Sequence, residues 1–506
     1  MDNNKKVIVL GLDGATFTVI QPLVERGELP NFEKIMKEGV YGKLKSTIPP
    51  LSSAAWASFM TGMNPSKHGV YDFIIKKPRS YDTYFLSGNI IKAPRFWDVL
   101  GKAGKKVIIQ NIMGTYPVKP VNGILISGFL TPPGQDYAYP KELEYEIEKK
   151  FGGYPRPLGT SVPPGLEEES INNAFNKMDQ RVEITRYLME NKDWDLLAVL
   201  FDGTDFLQHA FWNYYSNSNP KLKRKKNFET IRDAIPNFYR KFDRFLGELL
   251  DKIDENTTLI ILSDHGFGRL DKIILMNNLL MDMGLLNLKN KPATHFKKWC
   301  LTHHINVENF LKIFEKIGFR VKGAATETGK EQKIANKMFL SKKDIDWKKT
   351  KAFSIGVGGH IYINLKGREP KGIVPIDEYL KLRKFIMETI KNIKDPQNGK
   401  NIIEKVYSKD EIFTGKFSNY APDISILPAE GYFPIYKEHF ISPSFLMKSS
   451  TPGSHTLYGI VMIKGKNIKK GVENNEMTIW DVPAIILKEF NVDNSYMDGE
   501  THDVFL

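Results

Sequence analysis

Apolar positions in this chain fall into short, nearly unbroken runs. Between them lie longer stretches in which apolar residues return every three or four positions. Val7–Leu10, Val107–Gln110, Leu196–Phe201 and Leu259–Leu262 are runs of this kind. They are too short for a membrane span and lack the polar alternation of a half-exposed strand, so they read as strands buried on both faces. Ile361–Asn364, Asp423–Leu427 and Ile460–Lys464 are further strand candidates. Strands alternating with helical patterns predict an α/β chain, its largely parallel sheet covered by helices on both faces.

Two stretches interrupt the alternation. Residues 131–165 are rich in proline and glycine (TPPGQDYAYP, GGYPRPLGTSVPPG) and are expected to form a long irregular loop or lid. Residues 279–346 contain HFKKWCLTHHINVENFLKIFEKIGFRV, whose apolar spacing predicts amphipathic helices in a separate insert. No internal repeat or low-complexity tract is found.

The chemistry concentrates where strands end. The run TTLIILS stops at Asp264-His265-Gly266, and VIVLGLDG stops at Asp13-Gly14. In open α/β sheets the carboxyl edge of the strands is where ligands bind. The run ending at Phe201 is followed by Asp202 and by a helix expected to be capped by Thr204. There Asp205 and His209, four positions apart, share one helical face and can chelate one cation. His455 stands in a glycine-containing loop before the strand of LYGIVMIKG. Ser52 and Ser53 follow Pro49-Pro50 and open the helix-like AAWASFMTG, a place suited to anions. Ser52 is by default an N-cap, and the functional alternative is a nucleophile. Asn111, at a strand end, and His360, in a glycine-rich loop, are candidate substrate contacts. His68 is expected to order a turn. His295, His303 and His304 read as surface residues of a basic helix.

Length and composition change this picture little. At 506 residues and 41% hydrophobic, the chain can bury a large core. No stretch approaches the roughly 20 apolar residues of a membrane helix. The apolar stretch near the N-terminus contains Asp13 and lacks a cleavage site, so it reads as a first strand and not as a signal. Cys300 is the single cysteine, which excludes an internal disulfide framework and fits a cytoplasmic location. A net charge of +13 fits a solvated lysine-rich surface or attraction of phosphate-bearing substrates. Nucleic-acid binding is the non-enzymatic alternative, but no recognition motif accompanies the charge.

Taken in order, Asp13, Ser52, Asp205, His209, Asp264, His265 and His455 resemble the alkaline phosphatase superfamily. The likeness is greatest to its type I phosphodiesterase/nucleotide pyrophosphatase branch. It runs from Val7 to about Leu270 and resumes from about Ala352 to Gly499. The resemblance implies a three-layer α/β/α sandwich formed by residues 1–278 and 347–506, with 279–346 as a helical cap. It implies one metal held by Asp13, Ser52, Asp264 and His265, and a second by Asp205, His209 and His455. A nitrogen and oxygen ligand set suits two zinc ions and also admits manganese. The implied activity is phosphodiester or nucleotide pyrophosphate cleavage through a phospho-Ser52 intermediate, on a small phosphorylated substrate such as a nucleotide. A phosphomonoesterase and a phosphoglycerate mutase-like phosphotransferase are the alternatives. The branch commonly uses threonine where this chain has Ser52, a chemically equivalent hydroxyl. The sulfatase motif is missing, since Ser52-Ser53-Ala54-Ala55-Trp56 has neither its proline nor its arginine.

Overall fold

A computed structural model of the protein describes residues 5–159, 162–216, 220–224, 226–303, 305, 337–435 and 438–506. Its centre is a nine-stranded sheet. The order is Val472–Glu473, Val40–Lys45, Tyr458–Lys464, Thr257–Leu262, Lys6–Leu12, Leu196–Phe201, Val107–Gln110, Gly123–Ile126 and Ala138–Tyr139. Five adjacent strands, from Thr257–Leu262 across to Gly123–Ile126, run parallel. Tyr458–Lys464 is antiparallel to both of its neighbours.

The apolar runs are continuous because each face of the sheet has its own core. Ile8, Leu10 and Leu12 join Leu197, Val199 and Phe201 under the helices Phe17–Glu25, Glu167–Asn191 and Ala234–Leu250. Val7 and Val9 join Leu196, Ala198 and Leu200 under Ser52–Thr61, Phe96–Lys102 and Asp481–Glu489. The strand period of two sends successive residues to opposite cores, which gives the three-layer α/β/α sandwich.

Two expected strands lie elsewhere. Ile361–Ile363 and Ile424–Pro428 belong to a separate four-stranded sheet with Ala352–Ser354 and Ile403–Ser408, all antiparallel. Only Ile355–His360 separates Ala352–Ser354 from Ile361–Ile363, too few residues for the helical crossover that parallel pairing needs. This sheet packs with helix Ile376–Lys391 around a third core. Leu285, Leu286, Leu301, Leu340 and Ile345, from the stretch read as an insert, bury their side chains in the same core. That stretch contributes the helix Pro292–Thr302, while its amphipathic segment at 306–336 and His304 lie outside the described residues.

Of the stretch 131–165, the part up to 159 holds more regular structure than its proline and glycine content suggests. It holds the edge strand Ala138–Tyr139 and the helix Glu142–Phe151. Leu143 and Ile147, one turn apart, bury that helix, and Gly152 ends it in the left-handed region at φ 71°.

Candidate active site

Parallel strands that start in register also end in register. Gly11 lies opposite both Leu200 and Leu262, and Gln110 lies opposite Val199. Asp13, Asp202, Asp264 and Asn111 therefore emerge side by side at one edge of the sheet. Tyr458–Lys464 runs the other way, so its beginning lies at that same edge and brings His455 there. Val40–Lys45 runs opposite to it in turn, with Lys45 paired to Tyr458, and leads into Ser52. Direction alone thus gathers ligands from five distant parts of the chain.

Local geometry completes the convergence. Gly14 adopts φ 67°, where a Cβ would stand 3.3 Å from the His265 ring and 3.4 Å from the Asp205 carboxylate. The turn after Asp13 is therefore a close approach that needs glycine. Thr204 does not cap the helix Gly203–Tyr215. It sits in the first turn and donates its hydroxyl to the Asp13 carbonyl at 2.5 Å, tying two strand ends together. Ser52 is the first residue of the helix Ser52–Thr61, behind an extended Leu51 at the cap.

The three histidines are presented in the same way. His209 Nδ1 lies 3.0 Å from the Gly453 carbonyl, His455 Nδ1 3.0 Å from that of Pro50, and His265 Nδ1 3.0 Å from that of Gly266. A carbonyl only accepts, so each Nδ1 carries the proton and each Nε2 turns a lone pair inward. Those lone pairs meet. His209 Nε2 and His455 Nε2 are 2.9 Å apart, and they lie 3.3 and 3.4 Å from Asp205 Oδ1. His265 Nε2 stands 3.3 Å from Asp264 Oδ2 and 3.6 Å from Asp13 Oδ1, and it accepts the Ser52 hydroxyl at 3.0 Å.

Asp13 Oδ1, Asp205 Oδ1 and Asp264 Oδ2 are buried without a hydrogen-bond donor. Burial and the repulsion of Asp264 and Asp205 push the Asp13 carboxyl well up. Burial likewise raises Asp264 to about 7. Burial would raise Asp205 too, but the positive charge that His209 and His455 carry when protonated pulls it well below the carboxylate range. Burial and the neighbouring His455 push His265 well down. Orphaned carboxylate oxygens and imidazole nitrogens that converge on one site fit divalent metal ions, which would take the place of protons there. Two groups have all their ligand atoms within 4.8 Å of one another: Asp13, Asp264 and His265, and Asp205, His265 and His455. His265 stands between the two, with His209 beside the second.

The remaining sequence candidates separate. Asn111 adopts φ 60° and lines the cavity over the ligands, donating its Nδ2 to the Leu200 carbonyl at 2.9 Å. Ser53 is fully buried, its hydroxyl without a partner. His360 is also fully buried, donating from Nε2 to the Tyr71 carbonyl at 3.0 Å and accepting from Ser425 at 3.0 Å. Neither of its nitrogens is left for a ligand. His68 donates to Ser58 Oγ at 3.0 Å and accepts from the Val70 amide at 3.2 Å, an internal turn contact. His295 and His303 are exposed. Sequence reading missed Arg181, which is fully buried in the helix Glu167–Asn191 and paired with Asp202. An arginine 21 residues from its partner carries no local signal.

The fold and this donor set define a metal-dependent phosphoric ester hydrolase of the alkaline phosphatase superfamily. The model of the type I phosphodiesterase / nucleotide pyrophosphatase family matches residues 7–442, and the chain belongs to that family. Solved structures share the fold at low identity. Murine ectonucleotide pyrophosphatase / phosphodiesterase 5, as an inactive variant in complex with AMP, is 13% identical with a TM-score of 0.54, covering 99% of this chain and 100% of that one. Phosphonoacetate hydrolase from Sinorhizobium meliloti, in complex with phosphonoacetate, is 14% identical with a TM-score of 0.54, covering 96% of this chain and 95% of that one. No curated protein matches the chain.

Proposed function

We propose that this protein hydrolyses phosphodiesters or nucleotide pyrophosphates through a phospho-Ser52 intermediate, with two divalent cations, zinc or manganese, in the donor set. Asp13, Asp264, His265 and Ser52 would hold one cation, and Asp205, His209 and His455 the other. Bound there, the cations neutralise the carboxylates, favour the ionised serine and stabilise charge on the departing oxygen. The single observation that carries the reading is the Ser52 hydroxyl, 3.0 Å from His265 Nε2 at the start of a helix and facing the orphaned carboxylates.

Ser52 Oγ, its proton given up to water, attacks phosphorus, and the bond from phosphorus to the leaving oxygen breaks, that oxygen departing as an alcohol or phosphate that takes up a proton from water. Water then attacks phospho-Ser52 and breaks its phosphorus–Oγ bond, releasing the phosphate monoester and returning a proton to the serine hydroxyl. The amino-terminal amides of Ser52–Thr61, at the nucleophile's own helix end, would receive the phosphoryl oxygens. The AMP complex of one structural neighbour and the phosphonoacetate complex of the other support a small substrate that bears a phosphate or phosphonate group. The single buried cysteine, Cys300, is in keeping with a reducing, cytoplasmic setting.

The test is Ser52→Ala, assayed on bis-p-nitrophenyl phosphate and p-nitrophenyl phosphate after zinc or manganese is added to metal-free protein. Turnover should fall by at least about a thousandfold while bound metal is retained, and denatured wild-type protein quenched during turnover should carry phosphoserine at residue 52. Full activity in the variant removes the covalent mechanism. A clear preference for the monoester replaces the diesterase assignment with a phosphomonoesterase.

A further inference from the structure

The helix Glu167–Asn191 buries Ile171, Ala174, Met178 and Leu188, spaced as one apolar face requires, and Arg181 stands in that row with 1% of its surface exposed. A guanidinium at such a place gives up its hydration. Apolar side chains of similar volume commonly replace a buried ion pair with no loss of stability, so stability does not account for an arginine here. Its partner does.

Asp202 follows the strand Leu196–Phe201 and lines the catalytic cavity together with Asp13, Ser52 and Asp205. Its side chain keeps 17% of its surface accessible, against 2% for Arg181. One carboxylate oxygen meets Arg181 Nη1, and the other accepts the Leu158 amide at 3.0 Å. Arg181 Nη2 donates to the Pro155 carbonyl at 3.3 Å. The pair thus fastens both ends of the segment 155–158, of which Pro157 and Leu158 line the cavity. A carboxylate in this position holds the wall, but it also sets a negative charge before a site for phosphate. That charge is felt as far as Asp13. Lys177, one turn earlier on the helix, adds positive charge nearby without an ion pair to Asp202 among the described residues.

On the reading that the site hydrolyses phosphate esters, we propose that Arg181 is a positioning residue for the anionic substrate: its guanidinium cancels the charge of Asp202, so that the carboxylate fastens the cavity wall without repelling phosphate. Removing Arg181 weakens substrate binding in proportion to the substrate's charge and leaves the chemistry at Ser52 unaltered.

The experiment uses the metal-loaded protein as Arg181→Gln, Asp202→Asn and the double variant, with the singly charged bis-p-nitrophenyl phosphate and the doubly charged p-nitrophenyl phosphate. Arg181→Gln should raise KM about tenfold for the dianion and about threefold for the monoanion, with kcat within about twofold of wild type. Added salt should shrink both increases. The double variant removes the repelling charge as well, so its KM should return to within about twofold of wild type although no guanidinium is restored. A KM defect equal for both substrates and insensitive to salt, a loss confined to kcat, or a double variant no better than Arg181→Gln overturns the proposal and leaves the pair as a fastening alone. Should the glutamine variant not fold, Arg181→Lys decides, since it keeps the charge without the fork. Its KM should stay within about threefold of wild type for both substrates, and a tenfold or larger rise overturns the proposal. Thermal shift by inorganic phosphate separates this inference from the hydrolase reading. Phosphate should bind Arg181→Gln about tenfold more weakly than wild type and regain its affinity in the double variant, even if neither ester is turned over. Equal phosphate affinity in all three proteins sinks it.

Discussion

At the scale of single residues, a histidine's role here follows from what its second nitrogen meets. His209, His265 and His455 give Nδ1–H to backbone carbonyls and keep Nε2 for the site. His68 has the opposite tautomer, because the Val70 amide occupies Nδ1 and Nε2–H points to Ser58. Burial lowers the His68 pKa from 6.5 to about 3, so the folded protein holds it neutral. The unfolded chain takes up a proton near 6.5 and the folded one near 3, so stability is present above 6.5 and is lost as pH falls between these values. The depression corresponds to at most roughly 4–5 kcal/mol. Urea denaturation at a series of pH values should show this decline, and His68→Gln should flatten it. An unchanged slope in His68→Gln would assign the decline to other groups.

At the scale of elements, the site depends on how closely the nucleophile helix can lie on the sheet. A Cβ on Gly11 would stand 2.8 Å from Trp56 Cη2 and 3.0 Å from Leu200 Cδ1, both fully buried. Alanine within a strand would ordinarily be favoured over glycine by roughly 0.5–1 kcal/mol. Overpacking a closed interface costs about 1–3 kcal/mol and dominates. Gly11→Ala should therefore lower stability and, by pushing Trp56 away, displace Ser52 four residues before it and lower kcat. Trp56→Phe in the same chain should restore part of both losses, and an additive double-mutant cycle would show that the two positions do not communicate. Elements of this kind differ in how far the sequence reveals them. The strand runs that end in Asp13 and Asp264, and the Asp205–His209 spacing, are legible because each lies within one element. Pairing directions are not, so the apolar runs Ile361–Asn364 and Asp423–Leu427 read as strands of the parallel sheet although they belong to the antiparallel one. The helix Glu142–Phe151 was hidden by the prolines and glycines flanking it. The cavity over the ligands was invisible as well, since Phe73, Phe129, Leu158, Ile273 and Ile435 line it from separate segments that only folding brings together.

At the scale of the whole molecule, the donor set acts as a cross-link that folding must complete. Asp13, Ser52, Asp205, His209, Asp264, His265 and His455 come from three layers of secondary structure and from both ends of the chain. Without cations the buried carboxylates oppose the fold, as the upward displacement of Asp13 and Asp264 shows. A ligand that binds only the folded protein adds RT ln(1 + [L]/Kd), about 2.7 kcal/mol at a hundredfold excess over Kd. Two cations at such an excess should then raise stability by about 5 kcal/mol if they bind independently. Calorimetry of protein stripped with a chelator should show a lower Tm that zinc or manganese restores as its concentration rises. Asp264→Asn relieves the repulsion on Asp13, so the metal-free variant should melt higher than the metal-free wild type while gaining less from added metal. A variant that instead melted lower without metal and kept the full metal response would mean that the carboxylates are not the source of the opposition. The global stability of the fold would then have to be sought in its three hydrophobic cores alone.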